Sequence, residues 1–206
     1  MFYLVKTPKW LQTLYPRYTW GKSTVEKKIY LTFDDGPHPV HTIFVLDELR
    51  KINAKATFFC IGKNVELYPD VYRKIIAEGH AVANHTHNHV KGRSTNDTAY
   101  IEDVMQAEAV IKSNLFRPPY GSIKKSQAKL LLTNNPAFEI IMWTVLSADF
   151  DQKITKEKCL KNVIEHATNG SIVLFHDSEK AAERMHYALP TFLMKFDSEG
   201  FVFESL

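Results

Sequence analysis

Short apolar runs alternate with segments of helical spacing along most of the chain, and this alternation limits the possible folds more than any other feature. The helical segments carry apolar residues three or four positions apart, as at Leu46 and Leu49. Several runs, such as 172–175, are apolar throughout, which is typical of strands covered on both faces. This order predicts a parallel α/β fold. Periodicity alone does not decide between an open, doubly wound sheet and a barrel with one unit fewer than the eight-fold type. The predicted strands are 28–33, 56–61, 80–84, 115–117, 138–145, 171–175 and 201–203.

Size and charge exclude several classes of protein. A chain of 206 residues with 45% hydrophobic residues suits a single domain with a full core. The net charge of +3 is scattered, so the chain lacks the basic face that nucleic-acid binding requires. No apolar run approaches the ~18 residues of a membrane-spanning helix. We therefore expect one globular domain without a nucleic-acid partner or a transmembrane segment; the sequence does not indicate an oligomeric state.

Residues 1–27 contain several aromatic side chains but no clear periodicity, which predicts an arm that packs on a domain spanning 28–206. The apolar start ends at Lys6 and Pro8, whereas a signal peptide needs ~7–15 apolar residues and a small-residue cleavage site. A cytoplasmic location is therefore the default expectation, with envelope association open if export is non-standard or the sequence is trimmed. Two cysteines cannot form a disulfide framework, and Cys60 is expected to be a buried thiol.

Polar side chains follow several predicted strands at the point where each strand ends. In parallel α/β folds the carboxyl ends of the strands share one edge, and active sites form at that edge. We therefore expect these polar groups to converge on one cleft, an inference that needs only the order of the strands. The groups are Asp34, Asp35, His85, His87, His89, Arg117, Tyr120, Asp149, His176 and Asp177.

Two adjacent carboxylates, Asp34 and Asp35, lead from the first predicted strand into Gly36 and Pro37. If the alternation of the strand continues, their side chains point to different sides. One could then bind a metal while the other handles a proton. The alternative is a simple turn, because Asp-Gly-Pro is common turn chemistry.

His85 and His89 are four positions apart, so one helical turn would place both rings on one face. Two imidazoles and one carboxylate leave a metal with open positions, which is the arrangement of catalytic sites. A loop that is merely rich in histidine is the alternative, although four of the nine histidines fall between positions 80 and 89. His87 is expected to face away, in a supporting or surface position. The histidines that stand alone are assigned no function: His38, His41, His166 and His186.

A rigid segment, Arg117-Pro118-Pro119-Tyr120-Gly121, follows the fourth predicted strand. Its prolines fix the backbone, so Arg117 could hold a carboxylate bidentately. A structural turn with a surface arginine is the alternative. Asp149 and His176 could pair as an acid that orients a catalytic imidazole, or they could be unrelated loop residues.

Together these segments resemble the motifs of the polysaccharide deacetylases, the NodB-homology or carbohydrate esterase 4 family. The first motif corresponds to Thr32-Phe33-Asp34-Asp35-Gly36, and the second to His85-Thr86-His87-Asn88-His89. The other three correspond to Arg117-Pro118-Pro119-Tyr120-Gly121, Ser147-Ala148-Asp149-Phe150 and Leu174-Phe175-His176. All five occur in the family's order, and the set is highly specific although a single motif would not be.

The resemblance implies a distorted (β/α)7 barrel that hydrolyses N-acetyl groups on N-acetylglucosamine-containing glycans, either peptidoglycan-like or chitin-like. It implies one divalent metal ion as the cofactor, held by Asp35, His85 and His89. Zinc suits two histidines and one aspartate best, while cobalt, nickel, manganese and iron are possible.

The resemblance also assigns the acid–base groups. It implies that Asp34 is the general base, positioned by Arg117, and that the backbone N–H of Tyr120 contributes to the oxyanion hole. It implies that His176 is the general acid, tuned by Asp149. Two further side chains are implied to line the pocket for the acetyl methyl group: Leu174 and Phe150.

The sequence departs from the family pattern at three positions. Phe150 stands where tryptophan is usual, Leu146 where an aspartate is frequent, and Val90 where proline is frequent. None of these differences removes an implied ligand, base or acid, so they bear on the choice of substrate. The alternative functions are an esterase of O-acetyl xylan, a hydrolase of small amides, and a non-catalytic glycan-binding domain.

Overall fold

The structure is a computed structural model that describes residues 3–134 and 137–206. Within these residues eight strands form one sheet: β1 (Lys28–Asp34), β2 (Thr57–Cys60), β3 (Ala81–Asn84), β4 (Leu115–Phe116), β5 (Glu139–Ile140), β6 (Val145–Leu146), β7 (Ile172–His176) and β8 (Val202–Glu204). Their order in the sheet is β5-β4-β3-β2-β1-β7-β6, and β8 pairs with β1 off this path. All of these pairings are parallel.

Helices connect most of the strands and cover the outside of the sheet. They are α1 (Lys9–Leu14), α2 (His41–Lys51), α3 (Gly62–Leu67), α4 (Pro69–Ala77), α5 (Asp97–Ile111), α6 (Lys125–Leu132), α7 (Lys156–His166) and α8 (Ala182–Ser198). Each of α2 and α5–α8 lies between two strands along the chain, and α3 and α4 together occupy the connection from β2 to β3. This alternation confirms the predicted α/β fold, and the sheet closes into the distorted (β/α)7 barrel that the family resemblance implies.

The centre of the sheet is apolar on both faces, which explains why its strands are apolar runs without alternation. Phe33 of β1 is fully buried and stacks on Phe58 of β2 and Phe175 of β7, with ring centroids 5.1 and 6.2 Å apart. The register of β1 with β7 ends at the pair Asp34 and His176. The packing of the core therefore places two polar strand ends side by side.

The barrel closes where one extended segment changes partners. β5 pairs with β4, whereas β6 pairs with β7 at the opposite end of the sheet order. The N–H of Ile141 still donates to Phe116 in β4, while the N–H of Thr144 already donates to Ile172 in β7. The prediction of one strand over 138–145 is therefore wrong, because closure of the barrel divides this run between two neighbours.

Part of the N-terminal arm lies along this closure. The N–H of Leu146 donates to the carbonyl oxygen of Val5 at 2.8 Å, and the N–H of Thr7 donates to that of Thr144 at 2.9 Å. The arm thus forms backbone hydrogen bonds with the segment that closes the barrel. Its boundary at residue 27 remains a prediction, and residues 1 and 2 lie outside the described residues.

Two helices begin at or contain a proline, and the proline has a different effect in each. The segment 65–76 forms two helices because Pro69 begins α4, a position that suits proline at the start of a helix. In contrast, α8 continues through Pro190 without a restart. It buries Leu189 and Phe192 against the core, and we attribute its continuity to this packing. In the described part of the chain, no helix combines the length and apolar character needed to cross a membrane.

Both cysteines are buried and free. Cys60 ends β2 and Cys159 lies in α7. Burial raises the pKa of both thiols, so they remain protonated at neutral pH. The prediction that Cys60 is a buried thiol is confirmed.

Candidate metal and acid–base site

The carboxyl ends of the strands bring the predicted polar residues together at one edge of the barrel. Nη1 of Arg117 lies 2.7 Å from Oδ1 of Asp34, and Nε2 of His85 lies 3.7 Å from Oδ2 of Asp34. His176 is the β7 partner of Asp34 in the sheet register. The convergence expected from the strand order is thus confirmed. The side chains form a metal-ligating group, a carboxylate–arginine pair and an imidazole–carboxylate pair.

Asp35, His85 and His89 are the metal-ligating group, because they present three ligand atoms within 4.8 Å of one another. Oδ1 of Asp35 lies 3.2 Å from Nε2 of His89 and 3.8 Å from Nε2 of His85. This buried oxygen receives no well-directed hydrogen bond, although buried polar atoms are normally paired. Burial alone would raise the pKa of Asp35, but the imidazoles of His89, His176 and His85 outweigh burial and lower it. The group therefore fits a divalent metal ion with further coordination positions open.

The ring of His85 is oriented for metal ligation by its other nitrogen. Nδ1 lies 2.7 Å from the carbonyl oxygen of Arg117, so Nδ1 donates a hydrogen bond and the lone pair of Nε2 is available. Burial lowers the pKa of His85 to about 4, against the opposing effect of Asp34. The ring is therefore neutral at neutral pH, as a metal ligand must be.

A loop rather than a helical turn brings the two histidines together, so the predicted helical spacing is wrong. Thr86 and His89 have positive φ values of 66° and 55°, which a right-handed helix excludes. Asp103 of α5 holds this loop, because its Oδ1 accepts the N–H groups of His87 and Asn88 at 2.8 and 3.0 Å. Asp103 is 16 positions from His87, so no local pattern could have indicated the contact.

His87 is outside the metal-ligating group, as predicted, but it is buried rather than at the surface. Its Nε2 lies 3.8 Å from Glu66 of α3. An added Cβ at Gly62 would approach Nδ1 of His87 to 2.6 Å, so glycine permits the close contact with α3. The residue therefore packs the loop onto the barrel.

Arg117 is fully buried, which excludes the surface-arginine alternative. Its Nη1 donates to Oδ1 of Asp34 at 2.7 Å and to Oγ1 of Thr32 at 2.9 Å. Nε and Nη2 donate to the carbonyl oxygens of Ile141 and Met142 at 3.2 and 3.0 Å. The predicted bidentate contact is wrong, because the backbone of the barrel closure occupies the rest of the guanidinium. These contacts provide the partners that a buried charge requires.

Aromatic rings complete the environment of Arg117. The guanidinium carbon lies 3.9 Å from the ring centre of Phe59 and 5.8 Å from that of Trp143. Such cation–π contacts strengthen when the cation is removed from water. Neither ring, nor Thr32, could be identified from the sequence as part of the arginine's surroundings, because Phe59 and Thr32 lie inside ordinary strand patterns.

The predicted pairing of Asp149 with His176 is confirmed. Nδ1 of His176 lies 2.7 Å from Oδ1 of the fully buried Asp149, and the N–H of His176 donates to Oδ2 at 2.7 Å. Burial alone would lower the pKa of His176, but the charges of Asp149, Asp35 and Asp34 outweigh it and raise that pKa to about 9. The imidazole is therefore charged at neutral pH, and its second nitrogen can donate a proton.

Leu174 and Phe150 belong to an apolar cluster beside His176. The buried members of the cluster are Leu146, Ala148 and Leu174, and Phe150 packs against them. The ring of Phe150 contacts that of His176 edge-on, with centroids 5.2 Å apart. Phe150 therefore lies next to the charged imidazole, and Leu174 belongs to the same apolar cluster.

Tyr120 lies in a short 3-10 turn, Pro119–Gly121, and has a φ of 60°. Its ring centroid is 4.7 Å from that of His89. Positive φ is unusual for a bulky side chain, and such conformations cluster at functional sites. The structure thus places Tyr120 beside the metal-ligating group.

Asp177 is a buried carboxylate that the sequence analysis placed at the strand end without a role. Its Oδ1 accepts the N–H of Gly36 at 3.0 Å, and its Oδ2 accepts the hydroxyl of Thr42. A Cβ at Gly36 would overlap Oδ2, so the close approach requires glycine. Burial raises the pKa of Asp177 to about 7. The contact fixes the turn that follows Asp35.

Three of the histidines that were assigned no function form a second cluster with Glu179. Nε2 of His41 lies 2.8 Å from Oε2 of Glu179, and Nδ1 of His41 lies 3.2 Å from Nε2 of His186. The ligand atoms of His38, His41 and Glu179 also lie within 4.8 Å of one another. However, the His38 and His41 rings are stacked 4.3 Å apart with 17° between their planes. Because the lone pairs lie in these separate planes, the cluster is less suited to a single ion than Asp35, His85 and His89.

The chain is similar to known proteins over most of its length. Residues 21–134 match the family profile described as "Polysaccharide deacetylase". One peptidoglycan-N-acetylglucosamine deacetylase of Bacillus cereus is 33% identical over 157 residues, covering 73% of the chain and 56% of that protein. A second from the same species is 32% identical over 191 residues, covering 90% of the chain and 89% of that protein. The chain therefore spans about half of one relative and most of the other.

The fold is similar to a solved structure as well. The crystal structure of a peptidoglycan N-acetylglucosamine deacetylase in complex with 4-naphthalen-1-yl-N-oxidanyl-benzamide superposes with a TM-score of 0.87. The two sequences are 28% identical, and the match covers 97% of this chain and 95% of that chain. The similarity therefore includes the whole barrel and the strand ends that carry the site.

Proposed function

Because the chain belongs to the polysaccharide deacetylase family, we propose that it is a metal-dependent hydrolase that removes N-acetyl groups from N-acetylglucosamine-containing glycans. The observation that carries this proposal is that the metal-ligating group lies at the same strand edge as the Asp34–Arg117 pair and the Asp149–His176 pair. Asp34 approaches His85, and His176 is the partner of Asp34 in the sheet register. The two relatives in Bacillus cereus are named for N-acetylglucosamine in peptidoglycan, which supports this class of substrate.

We assign the metal ligands to Asp35, His85 and His89. When bound, a divalent ion lowers the pKa of a coordinated water from ~15.7 towards ~7 and polarises a carbonyl oxygen. Three protein ligands leave positions for water and substrate, as in catalytic sites. Zinc is the ion that this ligand set favours, and cobalt, nickel, manganese or iron would also suit it.

Asp34 is the proposed general base. Its Oδ1 is held by Arg117, and its Oδ2 faces the metal-ligating group at 3.7 Å from Nε2 of His85. The arginine therefore fixes one oxygen and leaves the other directed towards the attacking water. Asp34 takes the proton of that water as the bond to the acetyl carbon forms.

His176 is the proposed general acid, because an amine leaves readily only when it is protonated. Asp149 binds Nδ1 and keeps the ring charged, so Nε2 can donate to the departing nitrogen of the sugar. The backbone N–H of Tyr120 would stabilise the negative charge that develops on the carbonyl oxygen. Leu174 and Phe150 would enclose the acetyl methyl group beside the acid.

Acetate release from chito-oligosaccharides tests this function. Purified protein is stripped with a chelator and re-supplied separately with zinc, cobalt, nickel, manganese or iron. We expect negligible release from the stripped protein and restored release with metal, most strongly with zinc or a similar ion. No release with any metal, despite stoichiometric binding, would contradict the proposal. Parallel assays on O-acetyl xylan would then separate an esterase from a non-catalytic glycan-binding domain.

A further inference from the structure

The N-terminal arm extends from the closure of the barrel to the catalytic edge. Lys6 bridges to Val145 in antiparallel orientation, and Val5 accepts the N–H of Leu146. β6 runs towards the edge at which the strands end. Because the arm is antiparallel to β6, its earliest residues lie nearest to that edge. This direction places Tyr3 near the loop that carries Asp149.

Tyr3 is held in that position by two contacts. Its hydroxyl donates to Oδ2 of Asp151 at 2.8 Å. Its ring meets that of Phe150 at a centroid distance of 5.5 Å and an interplanar angle of 69°, an edge-to-face arrangement. Burial and the neighbouring Asp151 raise the pKa of Tyr3 to about 12, so the phenol remains a donor.

Phe150 is the connection between the arm and the imidazole. Its ring contacts Tyr3 and also contacts the ring of His176, at 5.2 Å and 74°. Both Tyr3 and Phe150 pack against the cluster that contains Leu146, Ala148 and Leu174. Phe150 is itself only half-buried, so the protein contacts on its ring determine how firmly it is held.

We propose that Tyr3 is a positioning residue that holds Phe150 against His176 and thereby completes the wall of the pocket for the acyl group. The inference rests on the proposed deacetylase function and adds the arm to the residues that set its acyl specificity. A firmly held Phe150 limits the pocket to a small acyl group such as acetyl. When Tyr3 is truncated, Phe150 can move into the space that the tyrosine ring occupied, and the pocket admits longer acyl chains.

The test compares N-acetyl with N-butyryl chito-oligosaccharides as substrates of the zinc-loaded protein. For Tyr3→Ala we expect kcat/KM on the acetyl substrate to fall about 2- to 10-fold, the effect of losing one aromatic pair. On the butyryl substrate kcat/KM should stay constant or rise, so the acetyl preference decreases. A residue that only stabilises the fold would lower both values together and leave the preference unchanged.

Three variants make the outcome specific. Tyr3→Phe keeps the ring and should retain most of the acetyl preference. Asp151→Asn weakens the anchor of the tyrosine from the other side and should decrease the preference in the same direction, which provides a test even if Tyr3→Ala does not fold. Trp10→Ala removes an exposed aromatic side chain of the same arm and should match the wild type.

The possible failures are distinguishable. Wild-type protein that releases neither acyl group overturns the proposed function and this inference with it. Wild-type protein that prefers acetyl, together with the same preference in Tyr3→Ala and Asp151→Asn, overturns only the inference about the arm.

Discussion

Two histidine–carboxylate clusters lie near each other at the catalytic edge, and they differ in what their nitrogen atoms contact. In the first, formed by Asp35, His85 and His89, the two rings are tilted by 47° with centroids 5.2 Å apart. The Nδ1 of His85 is occupied by a backbone carbonyl, which leaves Nε2 directed at a buried oxygen of Asp35 that lacks a well-directed hydrogen bond. The first cluster therefore has free ligand atoms facing one another.

In the second cluster, formed by His38, His41 and Glu179, some ligand atoms contact other groups. The Nδ1 of His38 accepts the N–H groups of Val40 and His41 at 3.2 Å each, and both nitrogens of His41 contact neighbouring side chains. Glu179 has a side chain that is 85% exposed, so water can satisfy its carboxylate. Proximity of ligand residue types therefore does not define a metal site; free lone pairs must converge on a protected point.

Matched neutral substitutions give the largest expected difference between the clusters. Asp35→Asn removes the charged ligand of the first cluster and should lower zinc affinity by more than about 100-fold. Glu179→Gln makes the same change in the second cluster and should leave zinc affinity unaltered. Elemental analysis after dialysis against limiting zinc measures both. A second equivalent of zinc that is lost in Glu179→Gln would show that the stacked cluster also binds metal.

Asp34→Asn separates metal binding from catalysis within the first cluster. We expect zinc binding to persist, since Asp34 is not a proposed ligand, and acetate release to fall about 10²- to 10⁴-fold through loss of the base. Asp47→Asn, an exposed change in α2, is the control for general effects of removing a carboxylate. Normal acetate release by Asp34→Asn would refute the assignment of the base.

Two imidazole–carboxylate contacts of similar length differ in burial, one beside the first cluster and one within the second. His176 meets the fully buried Asp149 at 2.7 Å, whereas His41 meets the exposed Glu179 at 2.8 Å. Asp149→Asn should move the alkaline limb of the kcat/KM profile to lower pH, because the raised pKa of His176 depends on that carboxylate. Glu179→Gln should leave the profile unchanged. An unshifted limb in Asp149→Asn would contradict the assignment of the acid.

The same pKa predicts how stability depends on pH. The pKa of His176 is about 9 in the folded chain and about 6.5 in an unfolded one. The stabilisation from this group is therefore fully present below about pH 6.5 and is lost as the pH rises through about 9. Denaturant unfolding across this range should show a smaller alkaline loss in Asp149→Asn than in the wild type. Equal losses of stability in the two proteins would show that the alkaline pH dependence does not arise from the Asp149–His176 pair.

The smallest expected effect concerns the turn that separates the two clusters. Asp177→Ala leaves the N–H of Gly36 and the hydroxyl of Thr42 without their buried acceptor, which should cost about 1–3 kcal/mol of unfolding free energy. Asp177→Asn retains an acceptor oxygen and should lose less. Acetate release should fall only several-fold, as the ligands and acid–base groups remain. Equal stability of Asp177→Ala and wild type, measured by urea unfolding, would contradict this structural role.

The convergence of the polar residues at the barrel edge could be predicted from the sequence, whereas the conformation of the loops that carry them could not. Strand order alone indicated that Asp34, His85, Arg117 and His176 would converge, because parallel strands end at one edge. The family resemblance added which of these residues act together and the role of each one. Neither could indicate the left-handed residues in the His85–His89 loop, since Asp103 fixes that loop from a distant helix.

Non-local contacts account for the other errors as well. The predicted strand 138–145 divides because the barrel closes there, and closure depends on strands far apart in the sequence. Backbone carbonyl groups of the segment that closes the barrel accept hydrogen bonds from the guanidinium of Arg117, which prevents the bidentate contact. His41 and His186 were interpreted as solitary because they are 145 positions apart. Each feature depends on tertiary packing that periodicity does not report.

The most direct test that the first cluster holds the catalytic metal is acetate release titrated with zinc in chelator-stripped protein, with Asp35→Asn and Glu179→Gln measured beside the wild type. We expect zinc to restore release in the wild type and in Glu179→Gln to the same extent, and Asp35→Asn to remain inactive at these zinc concentrations. Zinc-dependent release by Asp35→Asn at wild-type concentrations, or its loss in Glu179→Gln, would contradict the assignment of the catalytic metal to the first cluster.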